Sequence, residues 1–278
     1  MFVTIRDSFD LKKIADSGQC FRVREFPDGR FRFITGQNVL YIKKEGDDLY
    51  SVSCTEDAWN SVWCDYFDLN RDYSCIERTI PANDAFLQQA YAEGKGIRIL
   101  RQDHWETLIS FIISQRKSIP AIKQSVELLS AAYGTPIATP YETVYSFPTP
   151  AALKNISLAE LKNFKVGYRD KYLMSAIEKV SDGSICLNAL EGLPDPELFD
   201  ALCRIQGVGR KVANCICLFS YGRTGFAPVD TWIRKVIDTY YDGIDPFPSF
   251  GTNAGILQQY VFHYSIHNKG NFSIVRVP

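Results

Sequence analysis

The sequence predicts an α+β fold: a small N-terminal antiparallel β-sheet domain, then a mostly α-helical two-lobed body built around a helix–hairpin–helix motif. Three observations carry this. Short apolar–polar alternations separated by turn signals occupy the first eighty or so residues, the hydrophobic period turns helical from about Asp84, and a Gly-Val-Gly bend joins two apolar helices late in the chain.

Taken in order, residues 31–35, 39–43 and 49–53 read as strands, separated by the turn sequences Pro27-Asp28-Gly29 and Glu45-Gly46-Asp47-Asp48. A helical piece at 56–67 completes a domain expected at 1–83. In the domain expected at 84–278, Trp105, Leu108, Ile109, Ile112 and Ile113 fall at three- and four-residue steps and give one apolar stripe. Further helices are expected at 119–133, 151–155, 158–164, 169–182, 196–203, 211–219, 231–240 and 253–265, with Gly and Pro punctuation between them. The hairpin motif spans about 196–219, and a Pro-Val-Asp loop spans about 226–232.

Composition narrows the function classes. The chain has 278 residues, 46% hydrophobic and 23% charged, as in ordinary globular proteins. Its net charge of −1 excludes a generally basic nucleic-acid binder, so contact with nucleic acid must come from a local patch. No run of eighteen apolar residues suggests a membrane span. The opening residues lack a basic region followed by an apolar core, so an intracellular location, cytoplasm or nucleoid, is expected. Eight cysteines without a C-x-x-C pair read as reduced thiols, and three histidines argue against zinc. No acidic or basic tail suggests a protein partner, so a monomer is expected.

The chemistry concentrates in 202–230, L-C-R-I-Q-G-V-G-R-K-V-A-N-C-I-C-L-F-S-Y-G-R-T-G-F-A-P-V-D. Gly207 and Gly209 allow a tight turn and close approach of backbone to a ligand. The helix that follows opens with unpaired N–H groups and partial positive charge, which suits a phosphate. A lysine there, Lys211, opposes the usual dipole preference and reads as placed for chemistry. Asp230 stands where a helix cap is expected, and by itself would be structural. Paired with Lys211 it reads as catalytic as well.

This stretch resembles the helix–hairpin–helix DNA glycosylases, whose motif ends in Gly/Pro and a catalytic Asp. Four more segments are similar to the 8-oxoguanine branch of that superfamily: Ser17-Gly18-Gln19-Cys20-Phe21-Arg22 to S-G-Q-x-F-R, 98–103 to R-L-L-R-Q-D, Gly167-Tyr168-Arg169 to G-Y-R, and 254–258 to A-G-x-A-Q. They fall in the same order over nearly the whole chain. The resemblance implies a bifunctional DNA N-glycosylase and abasic-site lyase acting on double-stranded DNA that holds a damaged base. Lys211 would attack the sugar carbon C1′, leaving a Schiff base that permits β-elimination, and Asp230 would stabilise the oxocarbenium-like charge.

Base recognition requires extruding the nucleotide into a pocket. By resemblance, Cys215 and Phe262 flank the flipped base, the Gln258 amide reads its Watson–Crick edge, and a carbonyl at Gly18 accepts the N7 hydrogen that distinguishes 8-oxoguanine from guanine. Read alone, Cys215 and Phe262 would be core residues and Gly18 a turn. The amides of Gly207, Val208 and Gly209 would hold a phosphate, with a monovalent cation at the hairpin. Tyr168 and Arg169 resemble residues that wedge into the duplex, and Arg116 and Lys117 would add backbone charge. No resident metal or other cofactor is expected; no cysteine follows Cys217, so the four-cysteine iron–sulfur cluster of some related enzymes is excluded.

Three departures accompany the match. The relatives' S-S-N-N-N-I is Ser114-Gln115-Arg116-Lys117-Ser118-Ile119 here, an arginine used on the partner cytosine corresponds to Ala121, and Trp232 replaces a histidine after Pro-Val-Asp. Relaxed choice of the opposite base is therefore expected. Two alternatives compete. A glycosylase for alkylated purines would usually lack the lysine. A catalytically silent DNA-binding module would use the hairpin as a phosphate clamp but would not need Lys211 with Asp230.

Overall fold

The computed structural model describes residues 1–268; residues 269–278, the end of the expected helical domain, lie outside the described residues. Five strands, β1 (Phe2–Thr4), β2 (Arg24–Glu25), β3 (Phe31–Thr35), β4 (Asn38–Lys44) and β5 (Leu49–Val52), form an antiparallel sheet in the order β1-β5-β4-β3-β2. The strands expected at 31–35, 39–43 and 49–53 are β3, β4 and β5. β1 and β2, at the two edges, are too short to show a period and form by pairing, Phe2 opposite Ser51 and Arg24 opposite Arg32.

One face of the sheet packs Phe33, Leu40, Ile42, Tyr50 and Val52 against Trp59, Trp63, Tyr66 and Phe67. The helical piece that brings those aromatics in is broken in the middle by a π-helical turn, Trp59–Trp63, which buries both tryptophans. Edge-to-face pairs such as Phe33–Phe67, with centroids 5.1 Å apart, order this core. β3 departs from simple alternation, because Phe31 to Ile34 are all buried. Its second face is covered by a hairpin from the helical body, Pro136–Ala138 with Thr143–Tyr145, through an Arg32–Glu142 ion pair at 2.9 Å and the Tyr41 hydroxyl at Thr139.

In the helical body, helices including Ala85–Gly94, His104–Ser114, Ile119–Tyr133, Asp170–Ser181, Asp195–Cys203, Arg210–Phe219, Thr231–Tyr240 and Ala254–His267 share one apolar core. The single stripe expected on the helix at 104–114 is instead burial on every side, from Trp105 to Ile113. Helices Ile119–Tyr133, Asp170–Ser181 and Arg210–Phe219 surround it. No helix among the described residues is long and apolar enough to cross a membrane.

A buried polar knot joins the two parts. The Arg98 side chain is fully buried; its guanidinium reaches the Asp7 carboxylate at 2.8 Å and the carbonyls of Asp68 and Arg71 at 2.6 and 3.0 Å. The Arg98 carbonyl accepts from Gln19 Nε2 at 2.8 Å, Gln19 Oε1 accepts the Leu100 N–H at 2.8 Å, and Gln102 Nε2 donates to the Gln19 carbonyl at 2.8 Å. The segments around Gln19 and Arg98, eighty residues apart, are thus one structural unit, and each buried polar group in it has a partner.

Glu106 goes into the core with its helix, and burial pushes its carboxyl up to about 8, the nearby Arg22 pulling the other way. Between an unfolded value of 4.5 and about 8, the folded protein keeps a proton that the unfolded chain has lost, so stability falls as pH rises through that window. Glu106→Gln should therefore match the parent below pH ~4.5 and exceed it by on the order of 2–4 kcal/mol near pH ~8.5, compared by urea unfolding at both values.

Candidate active site

The hairpin is tight because its sequence permits nothing bulkier at one point. Gly207 has φ +85°, and a Cβ there would fall 2.4 Å from Tyr172 Cγ. Val208 is buried, and its N–H already donates to the Ile205 carbonyl at 2.9 Å. Gln115 Nε2 donates to the Gly207 carbonyl at 3.0 Å, which ties the hairpin to the end of helix His104–Ser114. The space outside Gly209 is open, so the N-cap of helix Arg210–Phe219 is uncovered. A hard monovalent cation suits a turn whose donors are carbonyls, but that of Gly207 is held by Gln115. Among the described residues, no group of three His, Cys, Asp or Glu side chains could hold a metal ion.

The helix begins at Arg210, one residue before the expected start, so Lys211 sits in its first turn. Lys211 Nζ lies 5.5 Å from the centre of the Phe111 ring and beside the Cys215 thiol one turn on. Burial pushes the Cys215 thiol up, so it stays protonated, with the Lys211 charge pulling the other way. Asp230 caps helix Thr231–Tyr240, its Oδ1 accepting the Ile233 N–H at 2.9 Å. Burial pushes the Asp230 carboxyl up from 3.8, while the Ile233 N–H and the Lys211 ammonium hold it down. The cap and the charge partner therefore act on the same carboxylate.

Both side chains line a cleft of about 890 Å³, within the range of ligand pockets. Gly18, Arg116, Lys117, Tyr168, Gly209 and Phe262 line it as well, together with Phe21, Phe111, Ile119 and Trp232. Gly18 has φ +73°, and a Cβ there would meet the Phe262 ring at 3.1 Å and Ile119 at 3.3 Å. The ring of Phe262 thus rests on the Gly18 backbone.

Other residues singled out by the sequence sit differently. Cys215 and Gln258 are both 2% exposed and outside the cleft lining; the Gln258 amide oxygen accepts from Gln259 Nε2 at 3.3 Å. Tyr168 is 54% exposed and projects outward. Arg169 turns inward: it is buried, donates from Nη1 to the Val166 carbonyl at 3.0 Å, and lies 4.5 Å from the Tyr168 ring. Arg116 is exposed, with φ +49°. Lys117 is tied back by its ammonium to the Lys165 carbonyl at 2.6 Å and to Ser125, and burial lowers its pKa with Arg169 and Lys165 close by.

Phe111 and Phe21 were not singled out. Phe111 forms the surface beneath Lys211 and stacks on Phe219, and Phe21 packs on it at 5.5 Å. On a helix that is apolar all round, no periodicity separates a residue lining a cleft from one in the core. The aromatic at the end of S-G-Q-C-F was the available signal for Phe21.

Residues 2–108 match the model of the 8-oxoguanine DNA glycosylase N-terminal domain. An N-glycosylase/DNA lyase of Saccharomyces cerevisiae is 33% identical over 174 residues, which cover 58% of this chain and 46% of the yeast protein. The N-glycosylase/DNA lyase OGG1 of Arabidopsis thaliana is 28% identical over 235 residues, 81% of this chain and 64% of that protein. The match thus spans about half to two thirds of the length of these relatives. Among solved structures, the Clostridium acetobutylicum 8-oxoguanine glycosylase/lyase, in complex with double-stranded DNA containing cytosine opposite 8-oxoG, superposes with a TM-score of 0.90 at 34% identity, over 97% of this chain and 98% of that one. MBOgg1 in complex with a low-affinity DNA ligand gives 0.91 at 38% identity, over 96% of each chain.

The left-handed backbone and the crowding at Gly18 make one variant informative. Gly18→Ala should lower the unfolding free energy by about 1–2 kcal/mol. Gln19→Leu, which strips the partners from buried groups of the knot, should cost about 2–4 kcal/mol. Thermal melts of the two variants beside the parent give both values.

Proposed function

Because the chain belongs to the 8-oxoguanine DNA glycosylase family, we propose that it is a bifunctional DNA N-glycosylase and abasic-site lyase that excises 8-oxoguanine from duplex DNA. The observation that carries the reading is the pairing of Lys211 with Asp230 at the wall of one aromatic-lined cleft.

The extruded base enters the cleft and its C1′ comes to Lys211. The amine, without its proton, attacks C1′ as the glycosidic bond breaks, and the bond's electron pair leaves with the base, which then takes up a proton. Asp230, held by the Ile233 N–H, faces the positive charge that develops on the sugar. The C1′–N bond then becomes a Schiff base as the sugar ring opens. That cation acidifies the neighbouring C2′ hydrogens, so β-elimination expels the 3′ phosphate and nicks the strand. No step uses a resident metal or an iron–sulfur cluster. The monovalent cation expected at the hairpin would supply charge to a strand phosphate beside the amide of Gly209.

Reading of the base falls to Gly18, Cys215, Gln258 and Phe262. Since Phe262 rests on Gly18 while Cys215 and Gln258 are covered, the base gains its slot by displacing that ring, a gating step of the kind common in enzymes that enclose their substrate. Tyr168 is the projecting wedge, and Arg169 serves by supporting it. Arg116 and Ala121 in place of the relatives' asparagine and arginine favour relaxed choice of the opposite base. The protein acts as a monomer inside the cell.

Borohydride should trap the parent covalently on a duplex containing 8-oxoguanine, and Lys211→Gln should abolish trapping and reduce base release on the order of 10³-fold or more. Trapping that survives this change would remove Lys211 from the role. Asp230→Asn keeps a capping side chain while losing the charge, so base release should fall about 10²–10³-fold with a stability change under about 1 kcal/mol. A panel of lesions against all four partner bases, scored by base release, should give 8-oxoguanine as substrate with less than about tenfold spread between partners, equivalent to about 1.4 kcal/mol.

A further inference from the structure

The helix Ala254–His267 buries every residue from Ala254 to Val261. Two of them are glutamines, side by side: Gln258 and Gln259, at 2% and 3% exposure. Upstream, Gly255 donates its N–H to the Thr224 carbonyl at 2.8 Å, and a Cβ there would fall 2.4 Å from the Phe226 carbonyl. Downstream, a Cβ on Gly94 of the neighbouring helix would fall 2.6 Å from Tyr260 Cβ. The backbone that carries the two amides is therefore wedged on both sides, and only side-chain torsions are left to turn them.

Gln259 is the anomaly. Consecutive residues point about 100° apart around a helix and do not normally face each other. Yet Gln259 Nε2 reaches back and donates to Gln258 Oε1 at 3.3 Å. Its own Oε1 is buried and, among the described residues, has no hydrogen-bond partner. The surrounding helix positions, Ile256, Leu257, Tyr260 and Val261, are buried and apolar, and an apolar side chain at 259 would avoid that cost. Native cores seldom keep such an atom without a use for it. The one hydrogen bond this side chain makes is the one to Gln258.

A carboxamide presents an acceptor beside a donor, and turning it over exchanges them. The Watson–Crick edge of guanine offers O6 as acceptor next to N1–H as donor; that of adenine offers an amino group next to a bare N1. The two patterns are opposite. An amide fixed in one orientation fits one of them and meets the other donor to donor and acceptor to acceptor, whereas a free amide turns to suit either. We propose that Gln259 is a positioning residue that pins the Gln258 amide and thereby makes the pocket choose the guanine pattern over the adenine pattern. This rests on the excision reading above, in which Gln258 reads the base. 8-Oxoguanine and 8-oxoadenine carry the same N7 hydrogen for the Gly18 carbonyl, so the amide is what tells them apart.

The test compares duplexes carrying 8-oxoguanine or 8-oxoadenine, scored by base release as kcat/KM. Gln259→Met keeps the length of the side chain and removes the tether, and Gln259→Leu should act alike. Each should lower the ratio of 8-oxoguanine to 8-oxoadenine release about 3- to 10-fold, the worth of one hydrogen bond. In a Gln258→Ala background the same change should leave the ratio where it stands. A ratio equal to the parent's, an equal loss on both lesions, or the same shift without Gln258 would each overturn the proposal. Duplexes with a 2′-fluoro sugar, which holds its base, give the selectivity as a ratio of Kd by fluorescence anisotropy. Selective binding that depends on Gln259 in a protein that releases neither base would count against the excision reading and leave the tether standing.

Discussion

Gln19 is the residue on which the geometry of the cleft depends. Its amide bonds the carbonyl of Arg98 and the N–H of Leu100, while its own carbonyl is held by Gln102. Ser17, whose hydroxyl donates to the Ile14 carbonyl at 2.7 Å and accepts from Gln19 Nε2 at 2.8 Å, is held on the other side, and Gly18 between them is left in a left-handed conformation at the lip of the cleft, against Phe262. Burying so many polar groups is tolerable only because each finds a partner; removing one partner leaves the others exposed to the full cost of desolvation. Arg98 extends the same logic across the molecule, since its guanidinium joins Asp7, Asp68 and Arg71 under the sheet domain. The Gly18 backbone is thereby positioned by side chains that lie outside the cleft lining.

Lys211 and Asp230 are held by the opposite strategy, local rather than long-range. Lys211 occupies the first turn of a helix where a cation is opposed by the dipole, and Asp230 caps the next helix where a carboxylate is favoured. Each position owes its backbone to neighbours in sequence: the glycine bend before Lys211, the Pro-Val step before Asp230. The third element is Phe111, from the helix buried on all sides, which places an apolar surface under the amine. A cation that the helix start disfavours thus has the charge of Asp230 acting on it in a partly desolvated setting.

These two strategies explain how far the sequence could be read. The hairpin, Lys211 and Asp230 stand close together in the chain, and local spacing sufficed to pair them. The inner strands carried a period and were legible; β1 and β2, three and two residues long, were not. The all-round burial of helix His104–Ser114 escaped because apolar residues at three- and four-residue steps look the same whether one face or every face is covered. The inward turn of Arg169 and the covering of Cys215 and Gln258 depend on rotamers and on packing from distant helices, about which spacing along the chain carries no information.

The distribution of indole rings has a practical corollary. Trp59, Trp63 and Trp105 are buried at 7%, 1% and 7% exposure and lie outside the cleft lining, whereas Trp232 stands at the cleft wall with Asp230. The molecule therefore carries an optical reporter at the wall of the cleft proposed to take the base. Quenching of its emission would record the arrival and departure of a base in real time, with no dye attached and no atom of the DNA altered.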